Sequence, residues 1–176
     1  MKKENVVLVD RNDNPIGLMP KLEAHEKGVL HRAFSVFILN QKSQLMLQRR
    51  ALDKYHSPGL WTNTCCSHQR DGESTIDAAN RRLNEEMGLN ADLEEIFSFI
   101  YKANLKNGLI EHEFDHVLVG YTDLSPIINI KEVEDWKWVD LSILEHDIDK
   151  NPNIYTEWFK IIFKRVKDYI DKSNLV

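Results

Sequence analysis

Apolar positions recur along this chain at two spacings, and the switching between them predicts an α/β architecture. A short apolar strand over Asn5–Val9 runs into a turn at Asn12-Asp13-Asn14-Pro15. Residues 22–27 follow Pro20 and are helix formers. Residues 33–39 and 44–48 read as two strands joined by the polar turn Asn40-Gln41-Lys42-Ser43. Ser57-Pro58-Gly59 breaks the chain again, and residues 61–66 then look extended.

The clearest helix comes next. Ser74 is its cap with Asp77 three residues on, and Gly88 closes the run. Ile76, Ala79, Leu83 and Met87 repeat at helical spacing and are expected to face the core. Residues 96–103 and 110–121 read as two long strands around a turn at Asn107-Gly108, and residues 136–139 as a further short strand. Residues 155–170 are amphipathic, with Trp158, Ile161, Ile162, Val166 and Tyr169 as the apolar stripe. No repeat, low-complexity tract or linker interrupts the pattern, so one domain over residues 1–176 is expected.

Composition narrows the class. Hydrophobic residues at 42% and charged residues at 29% suit a globular protein and exclude a disordered one. A net charge of −5 argues against nucleic acid as a partner, yet leaves room for a small anion if cations gather at one site. The neighbouring Cys65 and Cys66 point to opposite faces of an extended strand, so a bridge between them would be strained. A reducing compartment is the simpler expectation. The apolar residues 6–9 are too short for a signal-peptide core, and residues 33–39 fall far short of the roughly 20 needed to span a bilayer. The expectation is a cytoplasmic protein with no membrane partner, and nothing demands more than a monomer.

Chemistry enters with the acidic helix. Glu73 is followed by Arg81, Arg82, Leu83, Glu85, Glu86, Met87, Gly88 and Leu89. This segment resembles the Nudix signature, in which a glycine and a glutamate precede Arg-Glu-apolar-x-Glu-Glu-x-Gly-apolar. Two positions depart from it: Ser67 stands where the pattern has glycine, and Arg82 where it has glutamate. In Nudix hydrolases this helix face supplies carboxylates to divalent metals that activate water against a diphosphate. Residues 82 and 86 share that face, so Arg82 replaces one negative charge by a positive one while Glu86 remains for a metal. The plain alternative is a solvated acidic helix end.

The stretch Trp61-Thr62-Asn63-Thr64-Cys65-Cys66-Ser67-His68, with Pro58-Gly59 ahead of it, resembles the nucleophile-bearing segment of type 1 isopentenyl-diphosphate isomerases. The resemblance runs from Lys21 to Trp158. It implies an α/β (α+β) fold: a Nudix-like mixed β-sheet sandwich flanked by helices, with an N-terminal extension and a C-terminal helix. It also implies an activity, the interconversion of isopentenyl and dimethylallyl diphosphate through a tertiary carbocation. Position by position, it gives Cys66 the acid–base role and leaves Cys65 facing away. Glu113, with Tyr101 close by, is the partner acid–base on the opposite face of the substrate.

Other implied roles follow the same matching. His25, His31, His68, Glu111 and Glu113 would hold one divalent metal. Lys21, Arg50, Lys54 and Arg82 would grip the diphosphate, with a second metal, Mg2+, between it and Glu86. Tyr101 and Trp158 would line the hydrocarbon end. The residues themselves add that Glu111 and Glu113, two apart on a strand, project from one face. Three neutral imidazoles and two carboxylates balance one divalent cation; Mn2+, Mg2+ or Fe2+ suits such a set by geometry, and Zn2+ by affinity.

Plainer readings stand beside these. Free cysteines are often small core residues, a lone His25 is more often surface or core than ligand, and Trp158 also lies on an apolar helix stripe. Trp61 and Trp136 read as structural, and Arg49 and Arg81 as surface or structural charges. A Nudix diphosphohydrolase of nucleotides and a non-catalytic metal- or ligand-binding scaffold are the rival functions.

Overall fold

A computed structural model describes residues 4–173. Strands β1 (Asn5–Val9) and β2 (Pro15–Pro20) lead into helix α1 (Lys21–Lys27). Strands β3 (His31–Leu39), β4 (Gln44–Arg50), β5 (Trp61–Thr62) and β6 (Cys65–Ser67) precede helix α2 (Thr75–Met87). Strands β7 (Glu94–Asn104), β8 (Ile110–Tyr121) and β9 (Val133–Asp140) follow. Helix α3 (Leu141–Lys150), a single 3-10 turn at Pro152–Ile154 and helix α4 (Glu157–Ser173) complete the order.

All nine strands belong to one mixed sheet, and β3 is its axis. Along one flank β3 pairs in parallel with β8, from His31 beside Glu113 to Leu39 beside Tyr121. Its other flank is tiled by three strands in turn: β1 at Leu8, β6 from Ser67 to Cys65, and β4 at Leu45. The two strands expected as a hairpin therefore meet at a single pair, Leu39 with Leu45, and β4 spends its length on β9 and β5. A strand buried on both faces reads as a nearly continuous apolar run, which is how residues 33–39 read.

Strand alternation then builds two cores. Phe37 and Leu39 of β3, with Leu45, Leu47, Val117 and Val119, pack under Phe159, Ile162, Phe163 and Val166 of α4. On the opposite face Phe34, Val36 and Ile38, with Met46 and Leu118, pack under Ala79, Leu83 and Met87 of α2. Helices thus flank the sheet on both sides.

Helix α2 begins and ends as its sequence predicts. The Ser74 hydroxyl accepts the Asp77 backbone N–H at 3.1 Å, and Gly88 ends the helix at φ 64°. A side chain there would also bring its Cβ to 2.8 Å from the Ile127 carbonyl, because residues 127–129 run against the helix end. Two expected core residues turn outward. Ile76 is 46% exposed in the first turn of α2, where Ala78 takes the buried position, and Ile161 is 41% exposed on α4. Two elements were not anticipated. Strand β2 holds Pro15, Gly17 and Pro20, which read as breakers, and it survives as an edge strand paired to β1. Helix α3 runs from the Asp140 cap to Asn151 and Pro152, start and stop residues that sequence reading passed over, although the Asp140 side chain makes no cap hydrogen bond. Among the described residues no helix is long and apolar enough to cross a membrane.

Candidate active site

The register of β3 decides which chemical groups meet. His31 and Ser35 alternate onto the α4 side of the sheet, the side of Phe37 and Leu39. Parallel pairing sets Glu113 beside His31, and antiparallel pairing sets Tyr101 of β7 beside Glu113. Glu111, Glu113 and Asp115 share that face by alternation, and all three are buried. On the other flank of β3, Cys66 stands opposite Ser35 and so lies on the same side. Cys65, opposite Val36, points into the α2 core and is fully buried there. His68 lies two residues beyond Cys66, and His25 comes in from α1.

Three imidazoles and two carboxylates converge. His25 Nε2 lies 3.1 Å from Glu111 Oε2. His31 Nε2 and His68 Nε2 lie 3.5 and 3.0 Å from Glu113 Oε1. His25 and His31 turn their other nitrogens to backbone carbonyls, Nδ1 to Lys21 O at 2.7 Å and Nδ1 to Val29 O at 2.8 Å. A carbonyl only accepts, so Nδ1 carries a proton, and in the neutral imidazole Nε2 presents a lone pair. In that neutral form lone pairs face carboxylate oxygens, a repulsion relieved by a proton on the imidazole or by a cation among them. His25 Nε2, His31 Nε2 and Glu111 Oε2 are all buried without a hydrogen-bond partner. Ligand atoms of His25, His31, His68 and Glu113 lie within 4.8 Å of one another, while Glu111 groups instead with His25 and His56. The donor set fits a divalent cation.

Electrostatics divides the imidazoles, since Glu111 raises His25 against the lowering effect of burial. Burial lowers the His68 imidazole to about 3, keeping it neutral as a ligand must be. Burial alone would raise Glu113, but its contacts with His31 and His68 hold it well below the usual carboxylate range. Burial and the neighbouring Glu113 charge push Glu111 up, so two carboxylates crowd one low-dielectric space.

Around this cluster lies a cavity of about 210 Å3, below the roughly 300–1,000 Å3 of drug-sized sites. Its walls include the four expected cations Lys21, Arg50, Lys54 and Arg82, and also Cys66, Tyr101, Glu86, Glu113 and Trp158. Each cation has a resting partner. Lys21 Nζ is 3.6 Å from Glu4, Arg50 lies 5.3 Å over the Trp158 ring, and Lys54 pairs with Glu132. Arg82 meets Glu86 at 2.5 Å and Glu85 at 2.8 Å. Glu86 also accepts from Gln48 Nε2 at 2.8 Å. Trp158 serves both of its readings, because it is 3% exposed within the α4 core and lines the cavity. Tyr101 Oη donates to Glu113 Oε2 at 2.5 Å. Burial pushes the Cys66 thiol up to about 12, against the lowering effect of Arg50.

Every expected site residue thus reaches this cavity or the metal cluster beside it. Three further residues were not foreseen. His56 stacks on His25 at 5.8 Å, sets its edge to Trp158 at 5.7 Å and brings Nδ1 to 3.8 Å from Glu111. Burial drops its imidazole to about 2. It precedes a Ser-Pro-Gly turn, and no spacing marked it. Asp115, fully inside, accepts from Ser35 Oγ at 2.9 Å, and burial raises its carboxyl well above the ordinary range. Its signal was available in the alternation Glu111, Glu113, Asp115. Glu132, in the loop before β9, had none.

Residues 29–159 match the family model described as NUDIX domain. The chain is 52% identical over 164 residues to isopentenyl-diphosphate Delta-isomerase 2 of Aromatoleum aromaticum, covering 93% of this chain and 87% of that one. It is 55% identical over 159 residues to isopentenyl-diphosphate Delta-isomerase 2 of Photorhabdus laumondii, covering 90% of each. A crystal structure of a Deinococcus radiodurans protein superposes with a TM-score of 0.77 at 20% identity, over 92% of this chain and 98% of that one, a likeness of fold. The chain belongs to the isopentenyl-diphosphate Delta-isomerase family and carries a NUDIX domain.

Proposed function

We infer that this protein interconverts isopentenyl diphosphate and dimethylallyl diphosphate, adding a proton at one carbon and removing one from another through a tertiary carbocation. The single observation that carries the reading is that a thiol, an ionised carboxylate with a phenol on it, and four cations all open onto one small cavity. An anionic tail and a short apolar body are what such a cavity selects.

In this reading Lys21, Arg50, Lys54 and Arg82 hold the diphosphate. Binding energy from that remote tail orients the alkene between Cys66 and Glu113. These two residues stand on strands at opposite flanks of β3, which supports work from opposite faces of the substrate. Tyr101 and Trp158 keep the hydrocarbon end dry, and the Trp158 face stabilises positive charge developing there. One group donates a proton while the other removes one, and the roles exchange in the back reaction.

Burial favours the neutral thiol of Cys66, and Tyr101 donates its phenol proton to Glu113, so each of the two residues has a proton at or beside the cavity.

One divalent metal, Mn2+, Mg2+ or Zn2+, would be held by His25, His31, His68, Glu111 and Glu113, and a Mg2+ by Glu86 with the diphosphate. Bound there, such cations supply charge neutralisation for the crowded carboxylates and the phosphate oxygens. Arg82 already satisfies one Glu86 oxygen, which disfavours the multi-metal cluster of a nucleotide hydrolase at this helix. The substrate is a small free diphosphate, with no nucleic acid or membrane involved, and the protein works as a cytoplasmic monomer. Following both isomers by proton NMR in D2O tests the activity: interconversion with deuterium uptake is expected, and release of phosphate without isomerisation would contradict it.

A further inference from the structure

Glu132 has no place in the roles above, yet it touches two of the substrate cations. Its Oε2 accepts from Lys54 Nζ and also from Arg82 Nη2, the latter at 3.3 Å. Lys54 comes from the loop after β4 and Arg82 from α2, so a single oxygen ties two separate elements. A phosphate oxygen bridging those cations would occupy the same kind of position.

The carboxylate is not there by chance of a loose loop. The Ala51 backbone N–H donates to the Glu132 carbonyl at 3.0 Å, and the Glu132 N–H donates to Asn129 O at 2.9 Å. Asn129 N–H in turn donates to Glu86 O at 2.9 Å, and Ile127 N–H to Met87 O at 2.8 Å. The loop is therefore stitched to the end of α2, beside the helix that carries Arg82. Glu132 also lines the cavity itself. Meanwhile Arg50 Nε and Arg82 Nε are buried donors with no partner, so the cation cluster is not saturated by protein groups.

We propose that Glu132 is the resting counter-ion of the diphosphate cations: it positions Lys54 and Arg82 in the free protein and yields them when substrate arrives. The proposal rests on the reading that these two cations grip the diphosphate. Held apart by their mutual repulsion, they would otherwise splay before substrate bound. The cost is competition, since the incoming phosphate must replace a carboxylate already in place.

Competition predicts a tighter ligand once the negative charge is removed. The test is calorimetric titration of the metal-loaded protein with inorganic pyrophosphate at fixed Mg2+. Glu132→Gln should bind it about threefold to tenfold more tightly, the scale of partly exposed ion pairs. Glu132→Asp, which restores the charge, should return toward the parent affinity. Lys54→Met should weaken binding about tenfold, and adding Glu132→Gln to it should recover little. A damaged fold weakens binding, so tightening is the signature of a counter-ion. If Glu132→Gln binds equally or more weakly while Lys54→Met weakens, the counter-ion role is overturned and the diphosphate site stands. If Lys54→Met binds like the parent, the reading of the site falls and this proposal with it.

Discussion

The hydroxyl of Tyr101 donates to Glu113 Oε2 at 2.5 Å, while the other oxygen of Glu113 faces His31 and His68. One carboxylate therefore faces two ways, one oxygen toward the imidazoles of His31 and His68 and one toward a phenol on the cavity wall. Tyr101→Phe should lower kcat by about ten- to a hundredfold, the scale of a hydrogen bond to a charged group. KM and metal content should hardly change. Metal loss from the variant would mean that the phenol only braces the ligand.

The two cysteines offer a sharper contrast. Cys65 is buried in the α2 core, where its thiol hydrogen-bonds to Glu86, and it is not among the residues lining the cavity. Cys65→Ala should leave turnover near the parent level and lower stability by about 1 kcal/mol, read by urea denaturation. A collapse of activity at unchanged metal content would mean that the register places the wrong thiol at the site.

Glu86 is shared by Arg82 and Gln48, so its worth as a ligand depends on removing some of that partnership. Glu86→Gln should raise the Mg2+ concentration needed for half-maximal activity about tenfold. Metal at the proposed His25, His31, His68, Glu111 and Glu113 site should stay. Unchanged Mg2+ dependence would exclude Glu86 from the substrate-bound cation.

Acid should destabilise the metal-free protein. Burial keeps His56 neutral down to about 2 and His68 down to about 3, whereas the unfolded chain protonates them near 6.5. The unfolded state then binds more protons, so their stability contribution is full above 6.5 and is lost as pH falls toward those values. Each contributes a slope of up to about 1.4 kcal/mol per pH unit in that window. His25 is raised, with Glu111 outweighing burial, and acts in the opposite sense. Urea unfolding in chelator from pH 7 to 5 should show falling stability, with a shallower fall in His56→Gln. A flat profile would contradict the neutral buried imidazoles.

Much of the site was legible because strand alternation is a local rule. It put Cys65 and Cys66 on opposite faces and Glu111 and Glu113 on one face, without any knowledge of the partner strands, while the choice of Cys66 over Cys65 came from the family resemblance. The α2 boundaries were legible for the same reason, since Ser74 and Gly88 act on their own helix. What stayed hidden depends on distant pairing. Strand β2 exists only through β1, against its own Pro and Gly content. His56 and Glu132 reach the site through loops, whose paths no periodicity encodes. Ile76 and Ile161 obey helical spacing, yet Ile76 lies in the first turn of α2, and Ile161 sits to one side of the buried stripe formed by Trp158, Phe159, Ile162, Phe163 and Val166.

The Cys66 sulfur stands across β3 from Glu113 and opens onto the same cavity. The direct measurement is proton NMR of isopentenyl diphosphate in D2O with metal-loaded Cys66→Ala, beside the parent protein. The prediction is no isomerisation and no deuterium uptake at the carbon flanked by the thiol, with metal content equal to the parent. Ordinary turnover by that variant would contradict it.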